Sequence, residues 1–191
     1  IIAQIPNLNQ LTDQQPTQTL RYITQDEEMI EKDGAFVLPK IAVDGRKPWN
    51  EYGESVNTLP NFKKVALIIK GLGFDPLSLD KVSISLSPYA TDAEKKITSA
   101  RQFGHETYID LLLSSKDFLK SDSGPMSMSL TISQDEALQR LKRSLSVNAP
   151  IGGVVVNDGV ADESNRELLT KLFTELKNRG LMLIDATHGD G

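Results

Sequence analysis

Past residue 60 the chain alternates short apolar runs with amphipathic stretches. Lys64-Val65-Ala66-Leu67-Ile68-Ile69 and Ile151-Gly152-Gly153-Val154-Val155-Val156 are continuous apolar runs of strand length. Such runs suit strands covered on both faces, as in a parallel sheet. Val82 to Leu86, Glu106 to Leu113 and Leu181 to Ile184 read as three more strands. Between them, Thr91 to Phe103 reads as a helix, capped by Thr91 or Asp92 and closed by Gly104. Ser133-Gln134-Asp135-Glu136 forms a capping box, and Ala137, Leu138, Leu141 and Leu145 make one apolar stripe behind it. Asp162 or Ser164 opens a further amphipathic helix through Leu168, Leu169, Leu172, Phe173 and Leu176, ended by Asn178-Arg179-Gly180. Strands alternating with helices predict an α/β domain with a mainly parallel sheet over residues 61–191.

Residues 1–60 read differently. The first twenty carry no Lys or Arg and are rich in Gln, Asn, Thr and Pro. That composition buries too little apolar surface to offset chain entropy, so an extended arm or linker is expected. An acidic stretch, Gln25 to Asp33, follows. Phe36, Val37, Leu38, Ile41 and Trp49 are the residues expected to anchor the arm on the domain, covering a sheet edge or a groove.

Composition narrows the chemistry. The 191 residues include no cysteine, two histidines, and 26 acidic against 21 basic side chains, for a net charge of -5. Disulfides and cysteine zinc sites are excluded. Without a basic cluster, no nucleic-acid partner is expected. No run of 18 apolar residues exists, so no membrane span is expected in this chain. The chain starts at Ile1 without a basic leader, and a signal or anchor segment is expected to lie outside it.

In parallel α/β folds ligands bind beyond the carboxyl ends of the strands. Asp75, Asp110, Asp158 and Asp185 lie at or after such ends, with Asn157 and His188 beside them. Oxygen donors of this kind suit a hard cation. Turn formation and helix capping are the commoner roles of Asp and Asn in loops. Gly71-Leu72-Gly73 follows a strand but lacks the rest of a phosphate-loop signature. His105 precedes a strand, at the end away from ligands, which favours a structural role. No Gly-x-Ser-x-Gly elbow is present.

The order of segments resembles the divergent polysaccharide deacetylase family of bacterial envelope proteins. Val65 to Gly73 is similar to the family's opening strand, and Ser87-Pro88-Tyr89-Ala90 to its Leu-Pro-Tyr-Ala turn. Gly104-His105-Glu106, Gly124-Pro125 with Leu130-Thr131, Gly153 to Gly159, and Arg179 to Asp185 match further motifs in order. The resemblance covers roughly Lys64 to Asp185. Leu38-Pro39-Lys40-Ile41 and Asp44 to Pro48 also look like a pre-domain segment of some members. It implies a deformed (β/α) barrel, incomplete at its C-terminal end here, and metal-assisted hydrolysis of acetyl groups on a polysaccharide.

The departures bear on activity. The family's Asp-Asp pair falls on Lys70 and Gly71, a motif histidine and glutamate on Asp110 and Ser114, and another histidine on Asn157. Only Asp185 keeps an acidic strand-end position. The resemblance therefore implies a cleft lined by Lys70, Gly71, Asp75, Tyr89, Asp110, Ser114, Asn157, Asp158 and Asp185, with no catalytic residue singled out. A non-catalytic member is expected, with no cofactor, binding a polysaccharide or peptidoglycan-related glycan, or an envelope protein, in the periplasm or cell envelope. The rival expectation is an active deacetylase whose divalent metal, zinc or another, sits on a site rebuilt from Asp110, Asn157 and Asp185. A scaffold acting through residues 1–60 is a third.

Overall fold

The computed structural model describes residues 20–54, 65–72, 82–113, 124–128, 132–156 and 166–186. A parallel sheet of five strands forms its centre: β3 (Ile68–Leu72), β4 (Ser83–Leu86), β5 (Thr107–Leu111), β6 (Gly153–Val156) and β7 (Met182–Asp185), in that spatial order. Helices α2 (Ala93–Gln102), α3 (Gln134–Leu145) and α4 (Arg166–Asn178) lie between successive strands. Strand order that follows chain order, with crossovers of one hand, places every helix on the same face. The sheet therefore curls into half of a (β/α) barrel, whereas a doubly wound fold reverses direction midway.

The helix-side face carries the core. Ile84 and Leu86 of β4, Ile109 and Leu111 of β5, and Val154 and Val156 of β6 pack with Ile97, Leu141, Leu145, Leu172 and Leu176. The predicted N-cap holds, with the Ser133 hydroxyl accepting the Glu136 amide at 3.1 Å, while the Glu136 carboxylate takes the Arg140 guanidinium instead of closing the box. Helix α2 starts differently from expectation. Asp92 stands at its N-cap with φ 55° and makes no side-chain cap bond. The α4 caps expected at Asp162 or Ser164 fall outside the described residues.

One strand shifts. The run Lys64 to Ile69 suggested the first strand, but β3 spans Ile68–Leu72, with Val65 and Leu67 exposed. Pairing with β4 decides the register: Ile68 faces Ser83, Ile69 faces Ile84 and Leu72 faces Leu86. Three steps on β3 thus oppose two on β4. The extra residue is a bulge at Lys70-Gly71, opposite Ser85.

Ahead of the sheet, residues 20–54 fold back on themselves. Strands β1 (Ile30–Asp33) and β2 (Phe36–Pro39) pair antiparallel, and a short helix α1 (Pro48–Glu51) follows. Of the expected anchors, Leu38 is fully buried in the main core and Phe36 packs against that core, while Trp49 stays 42% exposed. Met29, Ala42 and Tyr52 form a small core of their own.

Candidate functional site

Strand alternation separates two sets of side chains. With Ile84, Leu86, Ile109 and Leu111 committed to the helices, Ser83, Ser85, Tyr108 and Asp110 fall on the inner face, joined by Glu106 just before β5. Their hydrogen bonds make one polar column. The Ser83 hydroxyl donates to Glu106 Oε2 at 2.8 Å, and the Tyr108 hydroxyl donates to the same oxygen at 3.3 Å. Glu106 Oε1 also accepts the Glu54 amide. Nearer the carboxyl ends of the strands, the Ser85 hydroxyl donates to Asp110 Oδ1 at 2.5 Å.

Asp110 and Ser85 are both buried, at 4% and 0% exposure. A buried carboxylate needs such donors, because leaving it unpaired costs more than the bond gains. Burial pushes the Tyr108 phenol well above its ordinary range, so it stays a neutral donor. Gly152 leaves space beside the Tyr108 ring, which an added Cβ would meet at 3.4 Å.

At the rim, two loops meet. Tyr89, just past β4, accepts the Met126 amide on its hydroxyl at 2.7 Å, and its own amide donates to the Ser87 hydroxyl at 3.2 Å. Gly124, at φ +81°, lies against the same ring: a Cβ there would come within 2.6 Å of the hydroxyl. The ring is thereby fixed at one edge while remaining 42% exposed. Ser87 to Ala90 and Gly124-Pro125, two segments singled out in the sequence, are thus in contact.

Of the other predicted site residues, Lys70, Gly71 and Asp185 are described. Lys70 and Gly71 occupy the β3 bulge opposite Ser85, with Lys70 exposed. Asp185 ends β7, paired with Val156, while Val155 is the neighbour of Asp110 and Ile184 that of Val155. The register therefore aligns Ile184, rather than Asp185, with Asp110. Asp75, Ser114, Asn157, Asp158 and His188 lie outside the described residues. Among the described residues no cluster of three or more His, Asp or Glu side chains is placed to hold a metal ion. His105 is buried at the amino end of β5, its Nδ1 3.1 Å from the Val82 carbonyl.

The reading of the sequence missed Ser85, Glu106 and Tyr108. The signal was present: Ser83-Ile84-Ser85-Leu86 and Glu106-Thr107-Tyr108-Ile109-Asp110 place a polar group at every second position, the period of one strand face.

The family model for divergent polysaccharide deacetylases matches residues 77–190. No curated protein matches the chain. A crystal structure of an uncharacterized protein from Agrobacterium tumefaciens C58 is similar at TM-score 0.69 and 21% identity, over 78% of this chain and 63% of that one. At that identity the likeness shows the fold, and the chain spans less than two thirds of that relative's length. With more than half of its residues matched by the family model, the chain belongs to the divergent polysaccharide deacetylase family.

Proposed function

We propose that this chain is a binding member of its family, with deacetylation absent or strongly impaired, taking a glycan at the carboxyl ends of its strands. The observation that carries the reading is the setting of Asp110. A divalent cation needs several convergent donors. Asp110 already accepts the Ser85 hydroxyl, its β6 neighbour is Val155, and the nearby bulge on β3 carries Lys70. A buried carboxylate that already accepts a hydroxyl, next to an apolar residue on one side and with an exposed lysine two strands away on the other, is a poor match to a divalent cation.

The same groups suit a neutral polyol. A carboxylate oxygen and neighbouring hydroxyls exchange hydrogen bonds with sugar hydroxyls, and a ring fixed like that of Tyr89 offers an apolar platform for a pyranose face. By family, the setting is the bacterial envelope or periplasm. The occupant proposed is the glycan; a protein partner is the outcome that would replace it.

Metal content of protein purified without chelators, measured with acetate release from acetylated chitooligosaccharides, tests the reading. Substoichiometric metal and no acetate release are expected, with binding of the oligosaccharide by calorimetry falling at least about tenfold in Tyr89→Ala, the loss of one stacking contact of about 1.4 kcal/mol. Stoichiometric metal that disappears in Asp110→Ala, with acetate release, overturns it in favour of a rebuilt metal site.

A further inference from the structure

Residues 124–128 cross the rim where Tyr89 stands, and their own bonds say what holds them there. Gly124-Pro125-Met126-Ser127 is a turn closed by the Ser127 amide on Gly124 O at 3.0 Å, with Pro125 at the position where its preset φ is favoured. The Met128 amide donates to Leu112 O at 2.8 Å, Met128 bridges Leu113, and its side chain is buried in the main core. One end of the turn is thereby tied to the end of β5. Its middle meets Tyr89, whose hydroxyl accepts the Met126 amide. The helix layer supplies a further tie: Arg140 Nη1 of α3 donates to Ser127 O at 2.8 Å.

Arg140 is itself braced. Its Nε donates to Glu136 Oε1, one helical turn earlier, at 2.9 Å, and its side chain is 22% exposed. A guanidinium presents its donors in one rigid fork, so it grips Glu136 and Ser127 O together, whereas an ammonium is a single flexible point. The Tyr89 ring is fixed at its hydroxyl only as firmly as the Met126 amide is, and that amide lies next to the carbonyl-bonded Ser127.

We propose that Arg140 is a positioning residue for ligand binding. It anchors the turn from Gly124 to Met128 and, through the Met126 amide, holds the Tyr89 ring in its binding orientation. This role rests on the reading of Tyr89 as the sugar platform, and it assigns control of that platform to a side chain in the helix layer. A ring ordered before the ligand arrives spares the cost of ordering it on binding.

Amide hydrogen exchange of the free chain, with calorimetry on an acetylated chitooligosaccharide, tests this. Arg140→Ala is expected to speed exchange of the Met126 amide at least about fivefold while the β5 and β6 amides exchange as in the parent. Affinity for the oligosaccharide falls about three- to tenfold, and Arg140→Lys recovers part of it. In a Tyr89→Ala background Arg140→Ala lowers affinity no further, because the ring it positions is gone. Parent-rate exchange of Met126 in Arg140→Ala overturns the anchoring, and an Arg140 effect undiminished in the Tyr89→Ala background overturns the positioning role. Should Arg140→Ala fail to fold, Tyr89→Phe decides: it keeps the stacking face and removes the acceptor of the Met126 amide, so weaker binding is expected and parent affinity overturns the role. No binding by the parent chain overturns the glycan reading together with the binding role, whereas the exchange result stands by itself.

Discussion

The central sheet with its helices and the segment from Leu20 to Glu54 are held by different forces. Within the first, strands bury aliphatic side chains in one continuous core. The second has a small core of three residues, lends Leu38 to the main core, and is otherwise tied to its host by polar cross-links. Arg101 of α2 donates to the Tyr22 carbonyl at 2.6 Å and the Tyr52 carbonyl at 3.0 Å, and its guanidinium sits 5.6 Å from the centre of the Tyr52 ring. Arg179 donates to Glu31 at 2.8 Å and to the Pro39 carbonyl at 3.0 Å. Lys142 donates to Asp33 at 2.6 Å, and Ser146 accepts the Val37 amide at 3.0 Å. Apolar burial is indifferent to direction and salt, whereas these bonds depend on both. Changes in packing should therefore strike the sheet, and changes in charge should strike the segment.

The largest effect is expected at Gly153. A Cβ there would stand 2.1 Å from the Met182 carbonyl oxygen, in the main chain of the neighbouring strand. Backbone cannot swing aside as a side chain can, so Gly153→Ala should unpair β7 and prevent a cooperative fold, read as loss of a thermal transition. If Gly153→Ala melts like the parent, the parallel pairing of β6 with β7 is wrong. Next comes Leu141→Ala. Leu141 is fully buried between α3 and the sheet, and its truncation should cost about 2–5 kcal/mol in chemical denaturation. An effect below about 1 kcal/mol would mean that the site collapses freely and is less tightly packed than the rest of the core.

How much of this difference was legible in the sequence follows from the same physics. Runs such as Val154-Val155-Val156 and the stripe through Leu141 and Leu145 declare themselves, because burial imposes a local period. The sheet, its parallel sense and the strand-end location of Asp110 could all be read that way. The segment could not. Its apolar anchors Phe36 and Leu38 were expected, but its attachment also depends on Arg101 and Arg179, which are 79 residues from Tyr22 and 148 from Glu31 along the chain. A long-range hydrogen bond leaves no periodic trace. The bulge at Lys70-Gly71 was hidden for a related reason: local apolarity marked Val65 to Ile69, and only the partner strand chose Ile68–Leu72.

Arg101 sharpens the contrast at intermediate size. Its side chain is 1% exposed and lacks a carboxylate partner among its hydrogen bonds, and burial pushes its pKa down to about 10. It still carries its charge at neutral pH. Arg101→Met keeps much of the buried stem and removes every donor, orphaning the Tyr22 and Tyr52 carbonyls. Relief of the buried charge offsets part of that loss, leaving about 1–3 kcal/mol. The distinguishing result is local: protease should cut within Leu20 to Glu54 well before the helices open. Cleavage at parent rate would show that Leu38 and the small core hold the segment unaided.

The smallest effect is the acid response. The Asp26 carboxyl is held below its ordinary value first by the hydrogen bond from Arg46 and next by the one donated by the Glu28 amide. Asp33 is lowered chiefly by the hydrogen bond from Lys142. A carboxyl depressed on folding contributes stability that is complete above its unfolded value of 3.8 and fades as pH falls through its lower folded value. The segment should thus loosen only below about pH 4. Asp33 is half-exposed and the Arg46 cluster partly so, which keeps each contribution small, and smaller still in high salt. Trp49, the sole tryptophan, lies on α1 within the segment and reports it separately from the sheet. On acid titration its emission should change at higher pH than the far-UV circular dichroism of the helices, and Asp26→Asn should shrink the interval between the two. Coincident midpoints in the parent would mean that polar ties and apolar core yield as one unit, and the separation between the two regions would fall.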